Sequence, residues 1–264
     1  MKIPAKYSLV LVLLMAAVVG LLSFACNSTS TGNIGGAAVT VAATVISDAN
    51  HDSTKVVADL RRQGAKLTTA VVRFSADTLK FRKAGFPIDS VYSLLKSNDL
   101  YYGVGKYKLN ISETNYSDSA TIRLSDSATI TNVVPTNRIA QGLRTVTVEW
   151  TGADSTDGYV LATTRKDSIY HGYGYSMYST SLTTAGTIPP DAFSLSPGDQ
   201  ADTGWYYLYV YAYTGTPDSV LTRKLLPVPL PSQLGDNISG ATLSGRIGTV
   251  VVIRHDSVHV VAGP

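Results

Sequence analysis

Short runs in which apolar and polar residues take turns recur from residue 37 to the end of the chain. Val39, Val41, Ala43 and Val45 form one such run, followed by Val72 and Phe74, then Tyr107, Leu109 and Ile111, then Ala120, Ile122 and Leu124, then Ala128 and Ile130. A period of two predicts a strand with one face in a core and the other in water. Gly64, Gly85, Gly103, Gly105 and recurring Asp-Ser pairs, such as those at Asp118, Asp126 and Asp154, separate the runs as turns between strands do. The spacing of Ile88, Val91, Tyr92 and Leu95, with Pro87 at the start and Asp89 in the first turn, predicts one short helix over 87–96.

A second group begins after Val133-Val134-Pro135, where proline disfavours further ladder pairing. It contains Val146-Thr-Val148-Glu-Trp150, Gly158-Tyr159-Val160-Leu161 and Tyr206-x-Leu208-x-Val210-x-Ala212. The run 248–261 is apolar and rich in β-formers, broken only at His255-Asp256-Ser257; it reads as one long closing strand of the second group rather than a hairpin. A tail this apolar would otherwise be an open pairing edge. The expected class is all-β: two tandem antiparallel β-sandwiches, 37–132 and 133–264, preceded by an apolar leader (1–25) and a polar tether (26–36).

Composition strengthens the all-β expectation. Of 19 acidic residues only Glu113 and Glu149 are glutamates, so the residue that usually populates exposed helix faces is nearly missing. Tyrosine is abundant, 16 against 5 Phe and 2 Trp, and with 44% hydrophobic residues the chain has enough apolar surface to fold.

Residues 1–25 carry Lys2 and Lys6, then an uncharged run rich in Leu, Val and Ala, ending at Cys26, the single cysteine; a polar stretch from Asn27 to Gly36 follows. The order of regions is that of a secretory signal, although the run approaches the length of a spanning helix. Ser23-Phe24-Ala25-Cys26 resembles the lipobox of bacterial lipoproteins. The resemblance implies that Cys26 becomes a lipid-bearing N-terminus, and the lack of an aspartate after it implies the outer membrane. Two or three acyl chains would anchor the protein stably. Cleavage there takes Lys2 and Lys6 from the 22 basic residues and leaves 20 against 19 acidic, too even a balance to steer nucleic acid. No second cysteine exists to form an internal disulfide.

The second group resembles a fibronectin type III-like domain, on Val146 to Trp150 as a strand ending in a core Trp, Gly158-Tyr159 opening the next, the Leu195-Ser-Pro197-Gly198 turn, and the strand from Tyr206 to Ala212. The resemblance implies a core of Val146, Val148, Trp150, Tyr159, Leu161, Tyr206, Leu208, Val210 and Ala212. The first group resembles the immunoglobulin-like domains of bacterial surface lipoproteins through Arg62-Gln-Gly64 and Ala70-Val-Val72.

For chemistry the chain offers little. It has no Gly-x-Ser-x-Gly elbow, no Gly-Lys-Ser/Thr phosphate loop and no His-Glu-x-x-His. An Asp-dependent hydrolase on a β scaffold is therefore the minor alternative, and neither catalysis nor a cofactor is expected. His255 and His259 would lie about 13 Å apart along a strand, too far to share an ion. Asp48, Asn50 and Asp52, with Asp59 further on, have the spacing of a calcium loop, but Ser53 stands where its glycine belongs. The more pointed feature is aromatic. If Tyr206 to Ala212 point inward, Trp205, Tyr207, Tyr209, Tyr211 and Tyr213 share the opposite face. Such a stripe serves as a platform for a protein or glycan partner, as a ladder covered by the Tyr-rich insertion at 167–186, or as a contact between the two domains. The overall expectation is an exported, lipid-anchored, non-catalytic binding or structural module whose partners are the membrane, through Cys26, and a protein or glycan.

Overall fold

The computed structural model describes residues 38–48, 53–82, 90–96, 103–135, 138–140, 145–166, 174–179, 184–193 and 203–261. Among these residues seventeen strands follow one another: β1 (Val39–Asp48), β2 (Ser53–Arg62), β3 (Ala65–Lys66), β4 (Val71–Phe74), β5 (Asp77–Arg82), β6 (Val91–Lys96), β7 (Gly105–Glu113), β8 (Tyr116–Leu124), β9 (Ile130–Val134), β10 (Arg138–Ala140), β11 (Val146–Trp150), β12 (Gly158–Arg165), β13 (Tyr175–Tyr178), β14 (Ala185–Ile188), β15 (Gly204–Gly215), β16 (Ile238–Ser239) and β17 (Leu243–Val261). Among the described residues helical structure is confined to single turns at Pro190–Phe193 and Ser219–Thr222. Among the described residues no helix is long and apolar enough to cross a membrane.

The protein is all-β, with one large mixed sheet and one small sheet. The large sheet runs β13-β12-β15-β17-β1-β2-β6-β5-β4-β7-β8, and the small one β14-β11-β9. The pairing departs from the antiparallel expectation at its centre: β1 and β17 are parallel, Val39 opposite Leu243 through Asp48 opposite Val252. Parallel neighbours need a long connection between them, and here residues 49–242 supply it. The closing strand β17 therefore lies between β15 of the second segment and β1 of the first. Its run Ile247, Val250, Val251, Val252 and Ile253 is buried on alternating sides, which is why it reads as continuously apolar.

One face of the central strands packs against β4, β7, β8 and the small sheet in a single core. Val41, Val72, Ile111, Trp150, Leu208 and Val258 all belong to it, so apolar packing is continuous from residue 39 to residue 260. All nine core positions implied by the fibronectin-like resemblance are buried there. Trp150 meets Tyr159 edge-on at 5.1 Å, and the Tyr159 hydroxyl accepts the Ala153 N–H at 2.7 Å. A second apolar cluster on the opposite face joins Ile46, Val57, Val160, Tyr211, Val250 and Val252 to Leu221, Leu226 and Val228.

The helix expected over 87–96 is corrected for its described part: Val91 to Lys96 is β6, paired with β2 and β5. Val91 faces one apolar cluster and Tyr92 the other. An interior strand buried on both faces places apolar residues side by side, and over six residues that pattern imitates helical spacing.

Candidate binding surface

β15 carries the aromatic residues singled out in the sequence. Its even positions, Tyr206, Leu208, Val210 and Ala212, enter the main core, and its odd positions lie on the other face. That face is not uniform. Trp205 is 48% exposed, Tyr207 and Tyr213 are half-buried, and Tyr209 and Tyr211 are buried.

The cover over the middle of the stripe is the strap 216–234. Proline at 227, 229 and 231 deprives the strap of N–H groups, and its carbonyls are taken up by hydroxyls from the sheet. Tyr211 donates to the Val228 carbonyl at 3.2 Å and accepts the Val228 N–H at 3.0 Å. Ser176 donates to the Pro229 carbonyl at 2.6 Å, and Tyr178 to that of Ser232 at 2.8 Å. The strap's start is fixed by Asp218, whose carboxylate accepts from Val220 N and Leu221 N and whose own N–H donates to Thr44 Oγ1 at 2.8 Å. Its end folds back through Gln233, which accepts from Ser219 N at 2.7 Å and donates to the Pro217 carbonyl. At the other end of β15, Tyr213 lies across Gly158, its directly paired neighbour, where any Cβ would fall 2.6 Å from the tyrosine hydroxyl.

Beyond the strap Trp205 is exposed and Tyr207 half-buried. Trp205 stacks on His259 with ring centres 4.6 Å apart and planes 13° from parallel. Tyr207 has the Lys166 ammonium 5.6 Å from its ring centre on the β12 side and the Arg254 guanidinium at 4.9 Å on the β17 side. A register shift in β17 opposite Tyr207 and Leu208 makes this possible: it puts Ser257 across from Tyr207, His255 across from Leu208 and Arg254 across from Tyr209. Burial pushes the Tyr209 hydroxyl up to about 12, with Arg254 pulling the other way, and burial also takes Tyr178 up to about 12. Tyr211 is raised by the same cause. These phenols therefore stay protonated to higher pH than an exposed tyrosine, and those of Tyr178 and Tyr211 donate to the strap.

The other sequence candidates fare differently. Cys26, Asn50 and Asp52 lie outside the described residues. Asp48 ends β1, and Asp59, the distant member of the calcium spacing, is engaged with Arg61 at 3.1 Å and Lys66 at 2.9 Å. Among the described residues no three His, Cys, Asp or Glu side chains gather as a metal site would require. Among the described residues the buried aspartates, Asp118 and Asp218, have structural partners: Asp118 accepts from Ser119 N and from Thr242 Oγ1 at 2.6 Å, and Asp218 caps the strap. Sequence reasoning missed Lys166, Arg254 and the stacking role of His259. The one available signal was the polar break at 255–257 in an apolar run, which is where the register shifts.

No known family model matches the chain, and no curated protein does. Among solved structures it is similar to the titin fragment A168169, at 12% identity over 91% of this chain and 100% of that one, with a TM-score of 0.24. It is likewise similar to a chimeric titin Z1Z2 tandem, at 14% identity over 90% of this chain and 100% of that one, TM-score 0.24. A third is the N-terminal four immunoglobulin domains of Dscam1, at 9% identity over 90% of this chain and 46% of that one, TM-score 0.20. Likenesses with scores this low carry no argument; the architecture rests on the strand pairing.

Proposed function

We propose that the protein is an exported, lipid-anchored outer-membrane protein that acts as a non-catalytic binding module, with the open end of the β15 stripe as its contact surface. Its two segments are read as an immunoglobulin-like and a fibronectin type III-like sandwich joined through β17. Cys26 would hold the chain at the membrane, and the polar stretch after it would set the sandwiches off from the lipid. The observation that carries the binding reading is Trp205, a large aromatic left 48% exposed near the start of an interior strand. A rigid strand and the stacked His259 hold its ring in place, so little side-chain freedom is lost when something settles on it.

Two measurements test this. The intact mass of the N-terminal peptide from membranes is expected to show Cys26 as the first residue with acyl chains attached; an unmodified Cys26 contradicts the anchor. Retention of the full chain on washed, insoluble envelope polymer is expected to fall when Trp205→Ala is introduced. Equal retention of the two proteins contradicts the binding surface.

A further inference from the structure

We propose that the open end of the stripe binds a carboxylated oligosaccharide, with Trp205 beneath a sugar ring and Lys166 and Arg254 holding a carboxylate. This rests on the binding-module reading and assigns its ligand. Two features of the site select the ligand class. The first is charge: Lys166 and Arg254 both stand over Tyr207, within 5.6 Å of its centre, and neither is ion-paired with a residue whose side chain is described, Asp256 not being among these. A ring quadrupole attracts a cation without neutralising it, so the pair keeps its charge for an anion, and a guanidinium offers a carboxylate two parallel donors.

The second feature is the lack of free main chain. β15 is paired with β17 from Gly204 to Gly215 and with β12 from Tyr206 to Tyr213, and the Trp205 carbonyl accepts the Lys166 N–H at 2.7 Å, so the main chain at the site is largely taken up and offers an extended peptide little edge to add to. What the site offers is a flat ring face beside two cations, which suits a ligand made of apolar ring faces carrying acidic substituents. A single-stranded nucleic acid also has rings and negative charge. The nearly even charge left after removal of the leader gives no extended positive track for a phosphate backbone.

The test is calorimetric titration of the full chain in detergent with oligogalacturonate, with its methyl ester, which keeps the rings and removes the charge, and with oligothymidylate. The free acid is expected to bind at least about tenfold more tightly than the ester, as loss of a charge-assisted pair requires. Its affinity should weaken with added salt. Lys166→Gln and Arg254→Gln should each lower the affinity for the acid towards that for the ester, and Trp205→Ala should remove binding of both. Equal affinity for acid and ester, acid binding indifferent to both glutamine variants, or tighter binding of oligothymidylate overturns the proposal. Equal affinity that still depends on Trp205 overturns the acidic ligand while leaving the binding surface intact. If neither saccharide binds, the ligand assignment fails and retention on envelope polymer decides the broader reading separately.

Discussion

Tyr211 shows how one residue type serves two ends in this protein. Its ring is buried under the strap, and its hydroxyl takes both the carbonyl and the N–H of Val228. Phenylalanine would keep the packing and leave two buried main-chain groups without a partner, so Tyr211→Phe is expected to destabilise by about 1–3 kcal/mol, read as a lower urea midpoint. Gly245 is constrained by backbone instead. It has φ +115, and a Cβ there would fall 2.1 Å from the Val41 carbonyl oxygen of the parallel partner. Gly245→Ala is expected to cost about 3 kcal/mol or more, because β1 and β17 would have to part. Neither demand is visible in the sequence. Tyr211 was legible as the face opposite Val210, but what covers it depends on a segment that follows in the chain. Gly245 looks like any loop glycine until its parallel neighbour is known.

At the scale of elements, the strap and the stripe form a unit held by neutral phenols. An unfolded tyrosine ionises near 10, whereas burial raises Tyr178 and Tyr209 to about 12 in the folded protein and raises Tyr211 as well. The folded state thus binds these protons more tightly, and the stability they confer is complete below pH 10 and lost as pH climbs through the folded values. The urea midpoint is expected to fall between about pH 10 and pH 12, less steeply in Tyr211→Phe. A midpoint that does not change over that range would contradict neutral, buried hydroxyls under the strap. Strand alternation was the most readable feature of the chain: the odd and even positions of β15 separate into the two apolar clusters as period two requires. β6 was misread because a strand buried on both faces loses its alternation, and the parity of Lys166 and Arg254 could not be set without the register shift in β17.

For the whole molecule, the consequential fact is where β17 lies. Its first half pairs with β1 and most of its length with β15, so a strand from the end of the chain completes a sheet begun by the first strand. The sequence identified both segments as β, and most of the inward positions it named are buried, but it did not mark β2, whose Val56, Ala58 and Leu60 are in the core, and no local pattern carries the information that residues 39–48 and 243–252 are neighbours. With one core continuous across both segments, the chain is expected to unfold by heat in a single calorimetric transition, and a fragment of residues 37–132 to remain unfolded, since β1 would expose Val39, Val41 and its pairing edge. Two well-separated transitions would contradict this. The account of function comes down to Trp205, and the chain's two tryptophans give a direct reading of it, because Trp150 is 3% exposed in the core and Trp205 is 48% exposed on the surface. In a proton–nitrogen correlation spectrum their indole N–H groups give two signals. Adding oligogalacturonate is expected to move the Trp205 signal, assigned through Trp205→Ala, and to leave that of Trp150 in place; a Trp205 signal that does not move at saturating saccharide would contradict the account.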